Sequence, residues 1–242
     1  MEFNFLASLD NFLTALIYLA VSFILFFIGK KVYQLINRSI DMDLELVEKD
    51  NLAFSLANTG YYAGLLIAIS SVYEGDGVAH ILDNIINILI YGSLAIILLN
   101  ASMFLSDKLV LRKFSIRKEI IDDQNAGTGV IEAATCIANG LIIYGVMAEN
   151  QDNFFGILLL WAIAQGALLL AAYVYNLITL YDIHEHIEKD NVAVGIGFAG
   201  ALIAIANLVR FGTQMEADTW IIVGENLLLE TGIGLVMLPL AR

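Results

Sequence analysis

Glu188-Lys189-Asp190-Asn191-Val192-Ala193 closes a polar segment of the chain and opens an apolar one. Glu48-Lys49-Asp50-Asn51-Leu52-Ala53 is nearly the same stretch earlier on, and Asp123-Gln124-Asn125-Ala126-Gly127 is a weaker third copy. Each opens an apolar run of about 20 residues, the length at which an α-helix crosses the hydrocarbon core of a bilayer. A signature that recurs at the start of such runs predicts an array of membrane-crossing helices. The sequence carries no comparable signature of an activity.

Working outward, the rest of the chain agrees. Its 242 residues are 59% hydrophobic and 15% charged, with a mean hydropathy of +0.78, outside the range of soluble globular domains. Seven apolar spans can be marked, roughly Phe12 to Ile28, Ala53 to Tyr73, Ile85 to Leu105, Gly127 to Ala148, Phe154 to Leu180, Val192 to Val209 and Trp220 to Ala241. The expected fold is therefore all-α, a polytopic membrane protein with one membrane domain over 1–242. The first span follows no basic segment and no small-residue cleavage site, so it reads as a retained helix. Cys136, inside a span, has no second cysteine to pair with and reads as a small buried hydrophobe.

The charges set an orientation. Of twelve Lys and Arg residues, all but Arg210 fall between spans one and two, three and four, or five and six, or after span seven. By the positive-inside rule those segments are cytoplasmic, which places the N-terminus outside and the C-terminus in the cytoplasm. Glu2, Asp10, Glu74, Asp76, Glu149, Asp152, Glu216 and Asp218 give the opposite face an acidic rim, either merely hydrated or a mouth that attracts cations. A net charge of −13 excludes nucleic acid as a partner. The lipid bilayer is the expected surrounding.

The spans also repeat. Asp10-Asn11, Asp83-Asn84, Asp152-Asn153 and Glu225-Asn226 recur 73, 69 and 73 residues apart, and Asn51, Asn125 and Asn191 recur 74 and 66 apart. They divide the chain into two-helix units at 1–80, 81–150 and 151–217, with a half unit at 218–242. Each unit crosses twice, so successive units run parallel. Asn51, Asn125 and Asn191 are expected N-caps, because their side chains can accept from first-turn N–H groups that otherwise lack partners. Positions two, nine and thirteen beyond each Asn are small: Ala53, Gly60 and Gly64; Gly127, Ala134 and Ala138; Ala193, Gly200 and Ala204. At about 100° per residue they share one face, and small-residue faces let membrane helices approach closely. The outward helices are expected at the packed centre.

Two carboxylates stand inside spans. Glu132 lies seven residues past Asn125, where the other units have Asn58 and Phe198, and Glu230 lies near the middle of the last span. A charge at mid-membrane costs about 2.5–3.5 kcal/mol or more, so each needs a partner, a proton or water. One reading is a proton or cation path of Glu132, Glu230 and Glu225 with Asn58, Asn100, Asn139 and Gln165, in which Glu230→Gln abolishes flux. The other is protonated acids hydrogen-bonded between helices. His184-Glu185-His186 would point its two imidazoles to different helix faces, which argues against a metal site. No HExxH, GxSxG or P-loop pattern is present, so no enzymatic activity and no cofactor is expected.

The segment from Tyr181 through Glu188-Lys189-Asp190-Asn191 to Gly200 resembles the YjfL family of bacterial inner-membrane proteins, labelled a domain of unknown function. Its members look like copies of a two-helix unit with an Asn-x-Ala start and a later Gly. Asn51, Ala53 and Gly60, and Asn191, Ala193 and Gly200, match that pattern; Gly127 and Ala134 depart from it. The resemblance implies a multi-pass protein of the bacterial inner membrane and a link with phage-shock or envelope-stress proteins, and it carries over no site residue. Two functions remain in view. One is a channel or transporter for a small cation or proton. The other is a non-transporting scaffold or stress-complex subunit, offering its charged connectors from Arg112 to Lys118 to a soluble cytoplasmic partner. A homo-oligomer would let the final half unit complete its core.

Overall fold

A computed structural model describes residues 5–73, 80–109, 115–148, 153–214 and 220–241. Its helices are α1 (Phe5–Ile36), α2 (Leu52–Ser70), α3 (Ile81–Leu109), α4 (Ala126–Ala148), α5 (Phe154–Ile178), α6 (Ile183–Glu188), α7 (Val192–Gln214) and α8 (Trp220–Met237). Among the described residues there is no strand. Among the described residues six helices, α1 to α5 and α7, are long and apolar enough to cross a membrane. The seventh expected span is α8, of 18 residues. At a rise of about 1.5 Å per residue it is about 27 Å long, just under the thickness of the hydrocarbon core. Several helices outrun their apolar spans: α1 continues to Ile36, and α3 to Leu109. Of the expected acidic rim, Glu2, Glu74, Asp76, Glu149, Asp152, Glu216 and Asp218 lie outside the described residues, as do Arg112, Lys113 and Arg242.

The helix starts follow from local chemistry. Asn51 Oδ1 accepts from Phe54 N–H at 3.0 Å, Asn125 Oδ1 from Thr128 N–H at 2.9 Å and Asn191 Oδ1 from Val194 N–H at 3.3 Å. Asn153 caps α5 in the same way, accepting from Gly156 N–H at 2.9 Å. The residue before each inner cap, Asp50, Gln124 or Asp190, is left-handed, with φ of 49°, 50° and 56°. That conformation turns the chain sharply out of the connector and costs roughly 1–2 kcal/mol in a residue with a side chain. In the first two connectors a wide helical turn, Leu44–Glu48 or Lys118–Asp122, places a buried Glu under the cap. Asn51 Nδ2 donates to Glu45 Oε2 at 2.8 Å, and Asn125 Nδ2 to Glu119 Oε2 at 2.9 Å.

α2, α4 and α7 run side by side and parallel, with α4 in the middle. Their separation is set by glycine: a Cβ on Gly60 would run into Ala133, on Gly64 into the Cys136 carbonyl, and on Gly140 into the backbone of Gly64. Between α4 and α7 the close pairs are Gly195 with Gly127, and Gly145 with Arg210 and Thr213. The amides of the first two inner caps also reach the next connector, Asn51 Nδ2 to the Ile120 carbonyl at 2.9 Å and Asn125 Nδ2 to the Ile187 carbonyl at 2.7 Å. The expected small-residue faces of α2 and α4 are buried in these contacts. The third differs: Ala193, Gly200 and Ala204 on α7 are exposed, because the described chain supplies no further outward helix to cover them. α1, α3, α5 and α8 flank the row, and α1 turns Phe12, Phe23 and Phe27 outward, as a lipid-facing helix does.

Candidate functional site: a carboxylate pair in a membrane cavity

At the end of the bundle that carries the Asn caps, α1, α2, α3, α4 and the first two connectors line an open cavity of about 250 Å³. Its polar lining includes Asn37, Ser39, Asn100, Asp107, Arg117 and Glu132. That volume holds several waters or a hydrated ion. Arg117 closes one side by donating to Ser39 Oγ at 2.5 Å and to the Ser39 carbonyl at 3.3 Å, which ties the second connector to the first.

Glu132 comes from the second turn of α4 and is 6% exposed. Asp107 comes from the last turn of α3, and both side chains line the cavity. Asp107 Oδ1 and Glu132 Oε2 are buried without a hydrogen-bond partner among the described residues. Most buried polar atoms have a partner, so two such oxygens on one cavity form a site that a proton, a cation or water would complete.

The polar character continues along α4. Thr128, Glu132, Thr135 and Asn139 are all buried, and their spacing puts them on one face of the helix. Thr128 Oγ1 and Thr135 Oγ1 also lack partners among the described residues. Asn139 Nδ2 donates to Ser106 Oγ at 3.3 Å and Asn139 Oδ1 accepts from Gln165 Nε2 at 3.0 Å, joining α3, α4 and α5. The stripe runs for eleven residues, about 16 Å or half the hydrocarbon thickness. On the α2 side Asn100 Nδ2 donates to Tyr61 Oη at 3.2 Å, and Tyr61 Oη donates to the Gly29 carbonyl at 3.0 Å.

The expected path residues thus divide. Glu132 and Asn100 line the cavity, and Gln165 joins the α4 stripe through Asn139. Asn58 is buried on α2 with Oδ1 unpartnered among the described residues, outside the cavity lining. Glu230 is not brought to Glu132. It packs on α8 against Gly212 of α7, near the opposite end of the bundle and about 20 Å away along the helix axes. Glu225 is exposed. Asp107, Thr128 and Thr135 escaped the sequence reading. Asp107 fell beyond a span judged to end at Leu105, and the two threonines carried a signal that was there to find, a polar line spaced 4, 3 and 4 through an apolar helix. Among the described residues no group of three or more His, Cys, Asp or Glu could hold a metal ion.

An all-helical bundle with six membrane-length helices, glycine-tight at its centre and carrying buried acids, defines a multi-pass membrane protein. The chain belongs to the DUF350 family, a domain of unknown function, whose profile matches residues 7–147 and again residues 150–242. Like the family expected from the Asn-x-Ala pattern, it is labelled a domain of unknown function; the match carries the DUF350 label and not the YjfL name. The chain is also similar to a UPF0719 transmembrane protein of Aquifex aeolicus (strain VF5), 22% identical over 178 residues, which cover 72% of this chain and 63% of that protein. The chain thus spans less than two thirds of that relative's length. No solved structure matches.

Proposed function

We propose that the protein is a channel or transporter that moves a proton or small cation through the bacterial inner membrane, with Asp107 and Glu132 as its binding centre. The observation that carries this reading is the meeting of two carboxyls from different helices in one cavity, each with a buried oxygen that has no partner among the described residues. A purely structural acid would be hydrogen-bonded between helices, as Asn139 and Gln165 are. The polar stripe of α4 gives the centre a route toward mid-membrane. Orientation follows from charge: Lys30, Lys31, Lys49, Arg117, Lys118 and Lys189 lie at the cavity end and Arg210 near the other, so the cavity opens toward the cytoplasm and the N-terminus is outside. The scaffold reading draws on the connector cations, yet Lys49, Lys118 and Lys189 are each ion-paired at 2.6 Å within the chain.

The test is flux into proteoliposomes across a panel of cations and a pH gradient. Asp107→Asn and Glu132→Gln each lower flux at least tenfold while the melting temperature stays within a few degrees, and Glu230→Gln, which is remote from the cavity, leaves it intact. Unchanged flux in both cavity variants overturns the proposal.

A further inference from the structure

The row α2, α4, α7 is built from one contact used twice. Across α2 and α4, Gly129, four residues past its Asn, meets Ala53, two past its own. Across α4 and α7 the same offsets pair Gly195 with Gly127. Asn51 and Asn125 each send Nδ2 to a carbonyl of the following connector, Ile120 or Ile187, and Gly127 N–H donates to Asp190 Oδ1 of the following unit at 3.2 Å. Each contact thus has a donor face, with the small stripe and the Asn amide, and a receiver face, with the connector carbonyl and the next helix.

At the two ends of the row one face of each kind is left uncovered by the described residues. α7 presents the donor face: Ala193, Gly200 and Ala204 are exposed, a Cβ on Gly200 would meet nothing within 4 Å, and no connector follows to offer Asn191 a carbonyl among the described residues. α8 does not cover this face. It meets α7 at Ile205, Leu208 and Gly212, centred about 100° around the helix from the open stripe. α2 presents the receiver face: Thr59 and Leu66 are exposed, Ser55 and Ala63 are half-exposed, and Tyr62, at the edge of this face, packs against Phe26 of α1. Leu46, five residues before Asn51 as Ile120 is before Asn125, offers the matching carbonyl.

We infer that α7 of one copy docks on α2 of a second copy of this chain, repeating the internal contact between molecules. Asn191 Nδ2 donates to the Leu46 carbonyl of the next copy, and Ala193 N–H to its Asp50 side chain. Ala193 then meets Ser55 and Gly200 meets Thr59, in the register of Gly60 against Ala133. Because donor and receiver faces differ, the contact is head-to-tail and makes a ring where the rotation closes. This assembly stands independently of any flux through the cavity.

Disulfide trapping in native membranes tests it, in a full-length Cys136→Ala background. Thr59→Cys combined with Gly200→Cys should give a ladder or a closed multimer on oxidation, and the two variants on separate co-expressed chains should give dimer alone. Within one chain α4 stands between these positions, so an internal bridge does not compete. Absence of cross-linking in folded double variant overturns the inference. So does a dimer from Gly200→Cys alone, which would mean a symmetric contact. Native mass of the unmodified protein in nanodiscs gives a second measurement: a multimer supports the inference, and a monomer at every loading overturns it.

Discussion

Glu132 and Phe198 occupy the same place in two helices of the same design, seven residues past a capping Asn. In α4 that place holds a carboxyl facing a cavity of about 250 Å³ with Asp107 opposite. In α7 it holds a phenyl ring stacked on Tyr175 at 5.4 Å between centroids, and the space around the two rings is too small for water. The frame is shared, down to the left-handed residue before each cap. A cavity is therefore no automatic consequence of the Asn-capped helix; it exists where side chains leave it and acids occupy it. α7 shows what the site becomes when packing alone is served.

The comparison can be broken at several places. The largest effect is expected from Phe198→Ala, which empties a filled site and should lower stability by about 3–5 kcal/mol, read as the shift in thermal or denaturant unfolding in detergent. Asn125→Ala removes a cap and a link to the next connector and leaves buried Glu119 without its amide donor. A loss of about 2–3 kcal/mol is expected, against about 1 kcal/mol for Asn191→Ala measured on dissociated protein, where that change removes a cap alone. Equal losses would show that the cross-connector bond contributes little. Glu132→Leu, by contrast, replaces a buried acid lacking a full set of partners with an apolar side chain and should raise stability by about 1–2 kcal/mol. Gln124→Gly relieves the left-handed backbone and should add up to about 1 kcal/mol.

A pH scan separates the connectors from the membrane interior. Burial raises the pKa of the Glu45 carboxyl, but hydrogen bonds from Lys49 and Asn51 outweigh it and hold the value below 4.5. A lowered folded-state pKa means that its contribution is fully present above about pH 4.5 and is lost as the pH falls through the folded value. Glu45→Gln should flatten that acid limb of the melting curve, and an unchanged limb would remove Glu45 from its cause.

Much of the fold was legible because bilayer physics writes it in long strokes: apolar spans near 20 residues, Asn at three helix starts, small residues at three fixed offsets. The caps on Asn51, Asn125 and Asn191 follow from backbone donors that lipid cannot satisfy. The site was legible in part. Glu132 stood out as an acid within a span, but its partner did not, since Asp107 sits at a helix end that hydropathy alone places in a loop. Glu230 stood out equally and lies elsewhere, because membership of one path depends on which helices are neighbours. The left-handed Gln124 carried no signal, as Gln has no preference for that conformation.

The most direct test of the carboxylate centre is to fill the α4 site as the α7 site is filled and measure flux in one proteoliposome preparation series, with Glu132→Phe beside Phe198→Leu as the control. Asp107 and Glu132 as the binding centre predict that Glu132→Phe, which fills the second site as the third is filled, folds and conducts nothing, while Phe198→Leu conducts as the unmodified protein does. Flux that persists in Glu132→Phe, or that falls equally in both, would contradict it.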